Sequence, residues 1–160
     1  MKGRPPSWNP FAGLYPHTWT EVIEFGSKGR LGMPAAVRRR LTWFESATAQ
    51  GLLATLEPNG RAKLDAWEDH GNEVVQLVRK AIDAASSGKS DMALAALDRY
   101  LHISVEDNGR LVAPSNMVSH LDPTGTGKAR VVVRDDELWL WSEIKWEAER
   151  KDRLALLHRQ

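Results

Sequence analysis

The stretch Glu21-Val22-Ile23-Glu24-Phe25-Gly26-Ser27-Lys28-Gly29-Arg30-Leu31-Gly32-Met33-Pro34 runs on into Ala35-Ala36-Val37-Arg38-Arg39-Arg40-Leu41. Eighty residues later it returns in outline. There the chain reads Leu101-His102-Ile103-Ser104-Val105-Glu106-Asp107-Asn108-Gly109-Arg110-Leu111-Val112-Ala113-Pro114, then Ser115-Asn116-Met117-Val118-Ser119-His120-Leu121. The shared frame is apolar-x-apolar, a turn, Gly-Arg-Leu, x-x-Pro and an amphipathic run ending in Leu. Ile23 and Phe25, like Ile103 and Val105, alternate with polar neighbours, the period of a half-buried strand. Gly29 and Gly109 mark turns. Pro34 and Pro114 suit a helix start, where the missing N–H has no partner to lose. Val37 and Leu41, and Met117 and Leu121, fall four apart on one inward helical face. Each copy therefore predicts strand, turn, strand, short helix.

Working outward, each copy continues into a hairpin. Residues 52–56 lead through Glu57-Pro58-Asn59-Gly60 to Ala62, Leu64 and Ala66 at period two. In the second copy, residues 130–134 carry three valines, Asp135-Asp136 turns, and residues 137–141 return. Trp67 and Trp141 are read as equivalent, with six extra residues before the first hairpin placed in a loop, where insertion costs least. Residues 73–85 place Val74, Leu77, Val78, Ala81 and Ile82 at helical spacing, residues 86–90 break the helix, and residues 92–100 form a second one. Residues 142–157 predict a charged helix capped by Ser142. The expected divisions are an arm (1–14), a first half (15–69), a helical linker (70–100), a second half (101–146) and a C-terminal helix (147–160).

At 160 residues the chain has room for two small, intimately packed halves but not for two large independent domains. No apolar run approaches the roughly 20 residues of a membrane-spanning helix, and Pro5, Pro6 and Trp8 stand where a secretory signal needs an apolar core. A cytoplasmic address and no membrane partner are expected. Zero cysteines exclude disulfides, a thiol nucleophile and thiolate metal sites. A net charge of +1 is no polyanion signature, so charge has to be read locally.

The doubled Gly-Arg-Leu-x-x-Pro frame, the helix after each proline, the hairpins and the helical linker resemble the MraZ family. The resemblance covers roughly residues 15–146, its closest points being Lys28-Gly29-Arg30-Leu31-Gly32-Met33-Pro34 and Leu138-Trp139-Leu140-Trp141-Ser142. It implies an α+β, mainly β fold of two SpoVT/AbrB-type swapped-hairpin halves that form an intrachain pseudo-dimer barrel. It also implies a nucleoid-associated transcriptional regulator that binds short repeated promoter elements in double-stranded DNA, assembles into ring-like homo-oligomers and needs neither a cofactor nor a small-molecule substrate. Repeated sites met by several copies at once raise avidity without a new kind of contact. The family's halves carry Asp-x-x-x-Arg across the turn; this chain has Gly26 with Arg30 in the first copy and Glu106 with Arg110 in the second.

Residues 26–41 hold five cations, Lys28, Arg30, Arg38, Arg39 and Arg40, and no acid, whereas residues 106–121 hold one arginine against two acids. A pseudo-dimer would then have one basic pole and one that is not, and the first copy becomes the candidate DNA face. Arginine and lysine neutralise phosphates, and an arginine fork also reads guanine. Arg30, Lys28 and Arg38 rank first. Against this, Arg38, Arg39 and Arg40 could equally be a solvated helix face, Arg30 could pair internally with a carboxylate, and for Arg110 pairing with Glu106 is the stronger reading.

Other signals point away from catalysis. Thr124-Gly125-Thr126-Gly127-Lys128 departs from the phosphate-loop pattern, with Asp122 and Ala129 at the deciding positions, and reads as a turn. The five histidines lack ligand spacing, and no nucleophile motif is present, so an enzyme is not expected. Trp67, Trp139 and Trp141 read as core or interface, and Trp8 and Trp19 as contacts between subunits. The competing interpretation is an AbrB-fold antitoxin or other protein-interaction module, which would carry a long acidic tail; residues 142–160 mix their charges instead.

Overall fold

Strand, turn, strand and short helix recur in both copies in the computed structural model, which describes residues 18–85 and 90–159. The first copy supplies β1 (Thr18–Glu24), a 3-10 turn at Ser27–Gly29, β2 (Arg30–Gly32), α1 (Ala35–Arg40), α2 (Thr42–Ala47), β3 (Leu52–Glu57) and β4 (Arg61–Ala66). The linker is α3 (Trp67–Ala85) and α4 (Ser90–Arg99). The second copy supplies β5 (Tyr100–Val105), β6 (Arg110–Val112), α5 (Ser115–Leu121), β7 (Lys128–Arg134) and β8 (Glu137–Trp141), and α6 (Glu143–Leu157) closes the chain. The expected arm at 1–14 and most of the break at 86–90 lie outside the described residues. α3 begins at Trp67, ahead of the linker boundary expected at 70, whereas α6 begins at Glu143 behind its Ser142 cap, as the charged-helix reading expected, and so takes in residues 143–146 that the divisions assigned to the second half.

The sheet is antiparallel, in the order β1-β7-β8-β4-β3-β5-β6-β2. A single bridge, Phe25 to Leu31, joins its two edge strands and nearly closes a barrel. Closure removes the exposed strand edges on which other chains could template. Exchanging β1 with β5, β2 with β6, β3 with β7 and β4 with β8 reproduces the same cyclic order, so the barrel has an internal pseudo-two-fold axis. The strands are swapped across it: β1 pairs with β7, β5 with β3, and β2 with β6.

The core confirms the alignment of the repeat. Ile23 and Ile103, Leu31 and Leu111, Met33 and Ala113, Val37 and Met117, and Leu41 and Leu121 are all buried, and they meet Leu52, Leu64, Leu138 and Leu140 in one cluster. Full burial of each large aliphatic side chain contributes about 1.5–3 kcal/mol.

Two expectations need correction. The segment before the first hairpin is not a passive loop, because it forms α2 and buries Phe44 and Ala47 in the core. The strand register makes it three residues longer than its counterpart rather than six, with 12 positions from Leu41 to Leu53 against nine from Leu121 to Arg130. Trp67 and Trp141 are not counterparts. Val22 pairs with Arg130 and its repeat mate His102 with Leu53, so Arg130 and Leu53 correspond. Their hairpin partners, Trp141 and Asp65, then correspond too. Trp67 instead opens α3 and stacks on His102, with ring centroids 4.0 Å apart. Trp19 packs, partly buried, against the core, and Trp8 lies outside the described residues.

The loop before β7 folds in on itself. One Asp122 carboxylate oxygen accepts the Thr126 N–H (2.8 Å) and hydroxyl (2.7 Å), and the other accepts the Gly127 N–H (2.8 Å). The Gly127 carbonyl in turn accepts the Phe25 N–H at 2.9 Å, which ties the loop to the end of β1. Burial alone would raise the Asp122 carboxyl, but the hydrogen bonds from the Thr126 hydroxyl and the Gly127 and Thr126 N–H groups outweigh it and hold the group below the ordinary aspartate value. A depressed carboxyl stabilises the fold above its unfolded pKa of about 4, and this stability is lost as pH falls through the lower folded value. Asp122→Ala is therefore expected to cost about 1–2 kcal/mol at neutral pH. Urea midpoints for the variant and the parent should converge below about pH 4, and a gap that persists unchanged there would contradict this account.

Candidate functional site

The two Gly-Arg-Leu turns lie side by side. Pairing of β2 with β6 sets Arg30 opposite Val112 and Gly32 opposite Arg110. The separate basic and neutral poles expected from the sequence do not exist, because strand exchange brings both turns to one face. The turns share a backbone form: Gly26 N–H donates to the Arg30 carbonyl at 2.7 Å, and Glu106 N–H donates to the Arg110 carbonyl at 2.8 Å.

Between the turns lies an asymmetric ion cluster. Arg30 Nε is 3.0 and 3.1 Å from the two Glu106 oxygens, and its terminal nitrogen donates to the Ser27 carbonyl at 3.4 Å. Arg110 Nε stands 3.6 Å from the same carboxylate. The side chains are unequally exposed, 26% for Arg30 and 49% for Arg110. A half-exposed pair of the second kind contributes at most about 1 kcal/mol, against about 1.5–3 kcal/mol for a charge-assisted hydrogen bond. Arg30 is therefore the bound member of the trio and Arg110 the loosely held one. The internal-pair reading thus holds for both arginines, with Arg30's partner coming from the other copy.

Arg38 also crosses between copies. Its guanidinium donates to the Asn108 carbonyl at 3.1 Å and lies 3.9 Å from Glu45. It sits directly over Gly109, where an added Cβ would collide with it. The counterpart contact is apolar, with Val118 of α5 lying over Gly29. Arg38, Phe44, Glu45, Val105, Glu106 and Asp107 border a cleft of about 320 Å³ beside this turn. Lys28 is exposed in a left-handed backbone conformation with φ of 58°, and Arg39 and Arg40 are exposed on the last turn of α1.

Lys28, Arg30, Arg38 and Arg110 thus gather around the paired turns, with Arg39 and Arg40 following on α1. Sequence reasoning missed Glu106 as the partner of Arg30 and the Asn108 carbonyl as the seat of Arg38. The usable signal was the repeat spacing, which places Glu106 opposite Gly26, but pairing across the barrel follows only from strand exchange. Among the described residues, no group of three or more His, Asp or Glu side chains could hold a metal ion, and no helix is long and apolar enough to cross a membrane.

Fold and site together define a class: a barrel of two related, interleaved halves that carries a cationic face at its paired turns. The chain is similar to a protein of Marinomonas sp. (strain MWYL1) named transcriptional regulator MraZ, with 24% identity over 144 residues, covering 83% of this chain and 84% of that protein. No family model matches the chain.

Proposed function

We propose that this protein is a transcriptional regulator of the MraZ type that binds short repeated elements of promoter DNA through the paired turns and α1. The observation that carries the reading is the meeting of both Gly-Arg-Leu turns and the cationic end of α1 on one face. Similarity to a regulator along most of both chains supports it. Lys28 and Arg39, exposed and without an ion-pair partner among the described residues, neutralise phosphates, while the paired turns approach the base edges. Phosphate contacts set register and affinity, and base contacts set the preferred sequence.

Several copies act together on repeated sites. Leu77 and Ile82 of α3, Met92, Leu94 and Leu97 of α4, and Ile144, Leu154, Leu156 and Leu157 of α6 are at least 46% exposed. These exposed apolar side chains on the linker and C-terminal helices are available for contact with another copy, in keeping with the ring-like homo-oligomer of the family resemblance. Such a protein works on the nucleoid.

Titration into a labelled duplex from upstream of its own gene, with a scrambled duplex as control, tests this reading. Preference for the upstream duplex is expected. If about four phosphates are neutralised, affinity falls about a hundredfold between about 50 and about 200 mM salt. The double variant Lys28→Ala, Arg39→Ala is expected to lose about tenfold at the lower salt and to show a shallower salt slope. Failure to bind either duplex at low salt would overturn the proposal.

A further inference from the structure

The two repeat arginines share one carboxylate, and the asymmetry has a defined origin. Under the pseudo-two-fold, Glu106 corresponds to Gly26 and Arg110 to Arg30. Arg30 reaches across the axis to Glu106; the equivalent reach from Arg110 ends at position 26, where no side chain waits. Arg110 falls back on Glu106 of its own turn, at 3.6 Å, and keeps nearly twice the exposure of Arg30.

From this we infer that Glu106 and Gly26 divide the labour between the two turns: Glu106 and Arg30 are positioning residues that brace the paired turns, and Arg110 is the arginine that meets a base edge and determines sequence preference. The inference rests on the DNA-binding reading and reverses the ranking from sequence, in which Arg30 came first. An arginine released from a weak pair loses little on turning to guanine. One held by both carboxylate oxygens must give up a charge-assisted contact and leave Glu106 facing phosphate, a like-charge juxtaposition that disfavours binding.

Position 26 offers a direct test because it can be filled. Gly26 has extended backbone, with φ of −83°, and an added Cβ would come no closer than 3.4 Å to its nearest neighbour, the Arg30 carbonyl oxygen. Gly26→Asp should supply the missing crossed partner and draw Arg110 away from DNA. The probes are a duplex enriched from a randomised library by the parent protein and a scrambled version of it. Gly26→Asp should weaken binding to the enriched duplex about tenfold, while the uncharged Gly26→Asn stays within about threefold of the parent and neither lowers the melting temperature. Arg110→Ala should cost about twentyfold and flatten the preference over the scrambled duplex, more than Arg30→Ala does. In an Arg110→Ala background the effect of Gly26→Asp should vanish; its persistence there would mean general repulsion of DNA and would overturn the inference. So would equal losses for Gly26→Asp and Gly26→Asn, or a greater loss of preference in Arg30→Ala than in Arg110→Ala. If the parent enriches no duplex, the DNA-binding reading itself fails, an outcome distinct from these.

Discussion

Gly29→Ala should destabilise the protein by about 2–5 kcal/mol. Two costs add. Gly29 holds φ of +74°, a left-handed conformation that disfavours any Cβ by about 1–2 kcal/mol. The new atom would also lie 2.3 Å from the Ala113 carbonyl oxygen and 3.3 Å from Val118 Cγ2. The first of these is backbone, held in place because Ala113 N–H donates to the Gly29 carbonyl at 3.0 Å. Relief requires moving the Ser27–Gly29 turn away from the end of β6, an overpacking cost of about 1–3 kcal/mol. Gly32→Ala is the control, since a Cβ there meets nothing within 4 Å, and it should stay within about 0.5 kcal/mol of the parent. Urea denaturation of both variants measures the difference, and a loss below about 1 kcal/mol for Gly29→Ala would refute the close-approach argument. Gly109, at φ of +83°, shares the left-handed backbone cost, but its obstacle is the end of the Arg38 side chain, which can move, so substitution there should cost less than at Gly29 and displace Arg38 from the site.

The parts of this fold legible from sequence are those governed by local periodicity and by the repeat. Alternation at Ile23 and Phe25, helical spacing at Val37 and Leu41, and turn chemistry at Asn59-Gly60 are short-range signals. Both Asn59 and Gly60 take positive φ, as that turn demands. Aligning two copies shows which residues are equivalent but not which of them touch. Contact depends on where the strands go, and a swapped strand places each turn beside its mate rather than at an opposite pole. For that reason Glu106 could be read as a partner for Arg110 four residues away, but not for Arg30 in the other copy. The extra residues of the first copy misled for a different reason. Thr42-Trp43-Phe44-Glu45-Ser46-Ala47 is too short for a clear helical period, and the burial of Phe44 and Ala47 comes from the shared core cluster they join, which depends on distant strands. Arg38 carried a similar ambiguity, since a cation on a short helix looks the same in sequence whether it faces water or a neighbouring carbonyl.

Cutting the chain between the repeats should abolish folding of the monomer. A fragment of residues 1–85 retains β1, β2, β3 and β4, yet β1 loses all seven of its paired positions on β7, and β3 loses β5. β2 loses β6, and β4 loses β8. Only the β3–β4 hairpin and the Phe25 to Leu31 bridge keep their partners, and an isolated hairpin is marginal in water. The core is divided as well, because Leu31, Val37, Leu41, Phe44 and Leu64 share one cluster with Leu111, Met117, Leu121, Leu138 and Leu140. Losing half of it removes stabilisation far larger than the 5–15 kcal/mol typical of a whole domain. Circular dichroism at low micromolar concentration should show a largely unfolded fragment with no cooperative thermal transition. The pseudo-two-fold leaves one route back, in which two fragments exchange strands as the halves do, so any folding should depend on concentration and coincide with a dimer in sedimentation. Arg30 would then face Gly26 instead of Glu106 in its partner, which disfavours that dimer relative to the intact chain. A folded monomeric fragment would be incompatible with the interleaved topology, because no arrangement of four strands on one half reproduces the pairings that close the barrel.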